Sequence, residues 1–339
     1  MGCNLKDLAI AHPVDLSDLS GQRIAVDAFL VGYQFITSLR TRGEGADGGP
    51  LTDSNGRPVS HLMGFLDRAT VMVEAGIDPV FVFDGRPHEL KAGTLASRKS
   101  RKVEAKAKWE AAVESEDWKS AQKLGAQIVS FTPTMVAETR QMLDLLGIVN
   151  IEAPMEAEGA AAVRCARGEF SAVASQDWDT LLYGSPVMVR NLTSHGTKRF
   201  GRAIYAEKIV LAELLEEHGL THQQLVDLGI MVGTDFHPGV KGIGPKTGLK
   251  LIREFGTIEE VCAAKDKELP ERLAEIREIF LDHPAGNKTL PNHQMCDEKG
   301  LREMLEDYEF SERRVGRALN RMEAAGRLRT SGQTSLFDF

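Results

Sequence analysis

Hydrophobic residues fall in short blocks along this chain rather than in long runs. Five blocks are rich in β-branched and aromatic residues: "RIAVDAF" (Arg23–Phe29), "PVFVFDG" (Pro79–Gly85), "GIVNIEAP" (Gly147–Pro154), "FSAVASQD" (Phe170–Asp177) and "SPVMVRN" (Ser185–Asn191). They lack the strict alternation of a sheet with one wet face. Segments with helical spacing separate them, such as "SHLMGFLDRATVMVEAG" (Ser60–Gly76) and "TPTMVAETRQMLDLLG" (Thr132–Gly147). Such strands alternating with helices predict an α/β fold with a mostly parallel central sheet flanked by helices on both faces. Strand signals stop after about residue 203, where short helices punctuated by Gly and Pro take over. "GEGADGGPLTDSNGRP", Gly43–Pro58, reads as a loop, and the tail "GRLRTSGQTSLFDF" as a projecting, disordered end.

At 339 residues the chain can bury one large core or a core with a satellite. Its 42% hydrophobic and 27% charged residues describe a globular protein. No apolar run is long enough to span a bilayer, and the N-terminus lacks a signal-peptide pattern, so the expectation is a soluble intracellular protein. The cysteines Cys3, Cys165, Cys262 and Cys296 are scattered, which argues against a zinc site or a disulfide framework. His218 and His222 stand four apart, but Gly219 interrupts any shared helix, so they read as surface histidines and not as a metal pair. The net charge of −8 argues at first against a nucleic-acid partner. Its distribution changes that picture: Lys91–Lys108, "KAGTLASRKSRKVEAKAK", carries seven basic residues and one acid.

In a parallel sheet, ligand chemistry gathers beyond the carboxyl ends of the strands. Asp27, Asp84 and Asp177 close three of the blocks, and Asp179 follows Asp177 at the two-residue spacing that faces one way in an extended segment. Glu156 and Glu158 stand just before or within the first turn of a helix, where negative charge is tolerated. Asp235, in "MVGTDFHPG", ends a helix further on. Two unit charges about 5 Å apart repel by roughly 3 kcal/mol at an effective dielectric of about 20, so seven gathered carboxylates need cations. An all-oxygen, thiol-free donor set suits Mg²⁺ or Mn²⁺, and a metal pair suits phosphodiester displacement. "VKGIGPKTGLKLIREFG" (Val240–Gly256) adds a Gly-hydrophobic-Gly turn, Pro245 at a helix start, and Lys246 and Lys250. It reads as a helix-hairpin-helix that grips duplex backbone without reading bases.

"VDAFLVGYQF", "SHLMGFL", "VFVFDGRPHELKAGTLASR", "APMEAEGAA", "ASQDWDTLLYGSP" and "GTDFHPGVKGIGPKTG" occur in that order. The series resembles flap endonucleases of the structure-specific 5′-nuclease (Rad2/XPG) family over nearly the whole chain, and without a basic nuclear tail it is similar to the archaeal branch. The resemblance implies a PIN-like nuclease core formed by residues 1–90 and 132–330, a helical gateway and cap over 91–131, a helix-hairpin-helix region over about 220–256, and a disordered clamp-binding tail over 331–339. It implies a cytoplasmic enzyme that cuts branched DNA at 5′ flaps by two-metal hydrolysis, with 5′–3′ exonuclease activity, in Okazaki fragment maturation and repair.

The implied roles follow position by position. Asp27, Asp84, Glu156, Glu158, Asp177, Asp179 and Asp235 would hold two Mg²⁺, for which Mn²⁺ substitutes, directly or through water. Lys91 and Arg98 would reach the scissile phosphate, and Tyr33 would stack on a base near the cut. Gly2 would bring its amine near the metals. Gly242, Gly244, Lys246 and Lys250 would hold DNA, with K⁺ at backbone carbonyls around Gly239–Gly244. Gln333, Leu336 and Phe339 resemble a sliding-clamp (PCNA) motif that lacks its final aromatic residue. Val59 stands where the family commonly has Thr, in the pocket for a one-nucleotide 3′ flap. A sibling exonuclease or junction nuclease, a non-catalytic junction- and clamp-binding scaffold, and a metal-dependent phosphatase are the rival readings.

Overall fold

The computed structural model describes residues 3–199 and 201–328. Its centre is a seven-stranded sheet of β1 (His12–Val14), β2 (Arg23–Asp27), β3 (Asp78–Phe83), β4 (Asn150–Glu152), β5 (Ala172–Ala174), β6 (Val187–Arg190) and β9 (Ala206–Val210). The order is β1-β9-β6-β5-β2-β3-β4. Strands β6, β5, β2, β3 and β4 pair in parallel, while β9 runs antiparallel to β6 and β1. The expected blocks are all present, and the sheet is mostly parallel. The expectation that strands end by residue 203 is overturned by β9, and β1 was not foreseen. β1, at the sheet edge, reads "HPV", and its proline is tolerated there; β9, between β1 and β6, reads "AEKIV", whose two charges mask the strand signal. A small hairpin of β7 (Lys198–Arg199) and β8 (Arg202–Ala203) lies outside this sheet.

Strand residues alternate between two apolar layers, as the pleat requires. Ile24, Val26, Phe81 and Phe83 enter one core, while Ala25, Val80 and Val82 enter another. The first core lies under α1 (Ala28–Ser38), α2 (Ser60–Glu74), α5 (Pro133–Leu145), α13 (Glu298–Asp307) and α14 (Glu312–Ala324). The other face receives α6 (Ala157–Ala166). A separate apolar cluster joins α7 (Asp179–Leu182), α8 (Leu211–His218), α9 (His222–Val232), α10 (Pro245–Phe255), α11 (Ile258–Ala264) and α12 (Leu273–Leu281). The basic segment forms α3 (Ala92–Glu114), packed on α4 (Trp118–Ile128).

The loop over 43–58 has no helix or strand, as expected, but it is docked. The Trp109 indole donates to the Asp47 carbonyl at 2.8 Å, and Gln122 donates to the Gly43 carbonyl at 2.7 Å. Val59 is buried and caps α2 without a side-chain hydrogen bond. His218 ends α8 before Gly219 (φ 60°), so the two histidines share no helix. Neither is a free surface group: His218 pairs with the Leu8 carbonyl and His222 with the Leu182 carbonyl. Among the described residues no helix is long and apolar enough to cross a membrane. Gly2, Gln333, Leu336 and Phe339 lie outside the described residues.

Candidate metal centre and nucleic-acid face

From β2 the chain builds outward to β3 and β4 on one side and to β5 and β6 on the other. The strand order therefore switches beside β2, and the crevice at its carboxyl end is where an open α/β sheet binds ligands. Asp27 is the last residue of β2 and also caps α1, accepting from the Leu30 N–H at 2.9 Å. Asp84 follows β3 and accepts from the Ala157 N–H at 2.8 Å, at the start of α6. Glu156 is the N-cap of α6 and Glu158 lies in its first turn. Asp177 precedes α7 and Asp179 opens it.

One detail of the expected geometry is wrong. Asp177 and Asp179 do not lie in an extended segment, because Trp178 between them has helical angles (φ −69°, ψ −17°). The pair is held by a turn in which the Asp179 N–H donates to Asp177 Oδ1 at 3.2 Å. The turn still gathers the acids: ligand oxygens of Glu158, Asp177 and Asp179 lie within 4.8 Å of one another. Asp235 stands in the loop beyond α9, which ends at Val232, rather than at the helix end itself.

The electrostatics record this crowding. Burial, then Asp84, raises the Asp27 carboxyl to about 8, against the Leu30 N–H that favours its charge. Burial, then Asp177, raises Asp179 to about 8. Glu158 is raised by burial and by Asp177, Asp179 and Asp27 in turn. Asp84 sits at the open rim, yet loss of water in the crevice and Glu156 raise it too, although the Ala157 N–H opposes them. Asp235 behaves oppositely: burial would raise it, but Lys91 and Arg98 bring it below the ordinary carboxylate value.

Those two cations reach in from the start of α3. The Lys91 ammonium donates to Glu156 Oε2 and lies 3.4 Å from Asp235 Oδ2. Burial alone would depress Lys91, but Glu156, followed by Glu158 and Asp235, lifts it above its ordinary value. Arg98 Nη2 donates to both Asp235 oxygens, at 2.6 and 2.8 Å. Lys91 and Arg98, distant in sequence from Glu156 and Asp235, are thus brought to them in space. Cys3 also lies beside Asp179, and its backbone N–H donates to Oδ1 at 2.7 Å. Burial and the nearby carboxylates push the Cys3 thiol well up, which keeps it protonated and outside the donor set.

Three other contributors carried no sequence signal that was used. Gly85 donates its N–H to the Met155 carbonyl at 2.7 Å, and a Cβ there would stand 2.0 Å from the Ala153 carbonyl oxygen. This contact of two backbones brings Asp84 to α6; a glycine directly after a strand-end acid was the available clue. The Thr94 hydroxyl donates to the Asp235 carbonyl at 2.7 Å. The Tyr183 phenol is buried and raised by burial, then by Glu158 and Glu156.

Tyr33, on α1, is 42% exposed rather than a core residue, and it borders a cavity shared with Arg313, Arg314 and Arg317 of α14. Gly242 (φ 87°) makes the turn before Gly244, the N-cap of α10, and Pro245 opens that helix. Lys246 and Lys250 are exposed, Lys246 lying 3.6 Å from Asp7.

Residues 4–105 match the XPG N-terminal domain and residues 147–235 the XPG I-region. Flap endonuclease 1 of Aeropyrum pernix is 39% identical over 350 aligned positions that cover 100% of this chain and 99% of the relative. The chain belongs to the XPG family of flap endonucleases. Flap endonuclease 1 of Archaeoglobus fulgidus is also 39% identical, with 96% of each chain covered. The solved flap endonuclease-1 from Methanococcus jannaschii superposes with a TM-score of 0.75 at 33% identity, covering 96% of this chain and 99% of that one. The α/β core described above is the fold of this family.

Proposed function

We propose that this protein is a divalent-cation-dependent, structure-specific endonuclease that cuts branched DNA where a 5′ single strand leaves a duplex, with accompanying 5′–3′ exonuclease activity. The observation that carries this reading is the meeting of Glu158, Asp177 and Asp179 with Lys91 and Arg98 folded over the same crevice. The donor set fits hard cations: it is all oxygen, and burial, together with the neighbouring carboxylates, raises Asp27, Glu158 and Asp179. Two Mg²⁺ held there would supply the positive charge that activates water and steadies the departing oxygen.

The chain's own groups do the rest. Asp27, Asp84, Glu156, Glu158, Asp177, Asp179 and Asp235 hold the cations. Lys91 and Arg98 exchange their carboxylates for the scissile phosphate and neutralise its charge. Tyr33 offers its exposed ring to a base. The Gly242–Lys250 hairpin holds duplex phosphates, with K⁺ at its carbonyls, so affinity depends on salt and little on sequence. Residues 91–131 form the gateway for the flap, and the tail bearing Gln333, Leu336 and Phe339 engages a sliding clamp. Branched DNA as substrate puts the enzyme at replication and repair sites in the cytoplasm. Asp177→Ala should abolish cleavage of a 5′-flap duplex in Mg²⁺ while leaving binding intact, measured by single-turnover cutting and by fluorescence anisotropy. Cutting at the parent rate would refute the proposal.

A further inference from the structure

The amino ends of the strands carry a second polar cavity, across the sheet from the acids. Helix α6 connects the two places: Glu156 and Glu158 stand at its start, and Arg164 and Arg167 at its end, roughly 15 Å away by helix geometry. The cavity is about 430 Å³ and is lined by Arg23, Arg164, Arg167, Lys288, Asn287 and Thr289, with Glu169 as its one carboxylate. Such a concentration of positive charge is unexpected in a chain of net charge −8.

Much of that charge is unspent. Arg164 is 4% exposed, and Glu169 accepts from its Nε at 2.9 Å and lies 2.8 Å from its Nη2, which also donates to the Lys288 carbonyl. Its Nη1 makes no hydrogen bond among the described residues, in a side chain that borders the cavity. Arg23 gives its Nε to Asp78 at 2.7 Å, but Arg327 already holds that carboxylate at 3.0 Å. Arg167 reaches only the Gly286 carbonyl, at 3.4 Å, and Lys288 is exposed. Cations at a helix C-terminus complement its dipole, which accounts for Arg164 and Arg167. It does not account for Arg23 and Lys288, which come from a strand and from the segment after α12.

We propose that this cavity binds a phosphate-class dianion. The planar guanidinium groups match two phosphate oxygens at once, Lys288 adds a mobile charge, and Thr289 and Asn287 add neutral donors. The bound anion ties the end of α6 to residues 287–290. This site is separate from the carboxylate crevice and does not rest on the nuclease reading.

The test is isothermal titration of the metal-stripped full chain, in chelator-free buffer of low ionic strength, with inorganic pyrophosphate and, separately, with AMP. Saturable binding of either is expected, weakened at least tenfold by Arg167→Glu with Lys288→Glu and unchanged by Lys246→Glu with Lys250→Glu. Thermal unfolding checks that both variants fold, and their exposed positions make that outcome expected. Tighter binding of pyrophosphate would assign the site to free inorganic anions, and equal or tighter binding of AMP to nucleotide phosphates. Absence of saturable binding by the parent chain, or equal affinity in the Arg167→Glu, Lys288→Glu variant, would overturn the proposal. Cleavage of flap DNA in Mg²⁺ should be the same in that variant as in the parent.

Discussion

Lys91 stands between Glu156 and Asp235, and Glu156 is 5% exposed. Removing one member of a buried pair leaves its partner charged without compensation, which costs about 3–5 kcal/mol in well-buried cases. Lys91→Met should therefore destabilise the metal-free protein by about 2–4 kcal/mol by that rule. Adding Glu156→Gln should recover most of the loss, as read by urea unfolding in the absence of metal, while cutting stays impaired in both variants. If the double variant is no more stable than Lys91→Met, the pair does not carry this load. Gly85 offers a second residue-scale test. A methyl group there meets the Ala153 carbonyl at 2.0 Å and must push Asp84 away from α6. A displacement of about 1 Å at a reacting centre can cost on the order of 100-fold in rate, so Gly85→Ala should lower single-turnover cutting by about that factor with binding retained. The individual acids were legible because each follows a strand block or opens a helix. Lys91 and Arg98 were named through the family resemblance, but their pairing with the acids was not legible, since Arg98 and Asp235 stand 137 positions apart and only the docking of α3 joins them. The Cys3 N–H that steadies Asp179 is a backbone group, and a backbone donor leaves no mark in a sequence.

At the scale of elements, α10 was the most readable part of the chain. Pro245 at its first position and the left-handed turn at Gly242 are both fixed by residue chemistry, and the structure has them where the sequence puts them. Lys246 and Lys250 then stand one turn apart on the exposed side. Each phosphate contact contributes about 0.9 to the salt slope of duplex binding. Lys246→Glu with Lys250→Glu should lower the slope of log affinity against log salt by roughly 2. It should weaken flap binding alike across sequences and leave the single-turnover rate at saturation near that of the parent. Fluorescence anisotropy across a salt series gives the slope, and an unchanged slope would remove the hairpin from the DNA face. The edge strand β1 and its neighbour β9 were the illegible elements. β1 is short and carries proline, β9 carries two charges, and they meet in the register Pro13 opposite Glu207, which no local pattern encodes.

For the molecule as a whole, the sheet gathers acids that oppose its own stability. Asp27 and Asp179 have folded-state values of about 8, against ordinary values near 4, so between those limits the folded chain keeps protons that the unfolded chain releases. Stability that comes from holding a proton is fully present below the unfolded value and is lost as pH rises through the folded one. The metal-free protein should therefore lose stability from pH 7 to pH 9, by about 1.4 kcal/mol for each group that titrates fully in that window. Burial lowers His61, His222 and His283 from 6.5, and such groups cost stability only on the acid side of that value, so they leave this window clear. Divalent cations compete with the same protons and bind better as pH rises, which should flatten or reverse the loss when Mn²⁺ is added. Asp27→Asn with Asp179→Asn should reduce the slope in the absence of metal and remove the response to Mn²⁺. Urea unfolding of both proteins at pH 7, 8 and 9, with and without Mn²⁺, measures all four cases. Equal slopes for parent and variant without metal would mean that the gathered acids do not share one field, and the two-cation crevice would lose its physical basis.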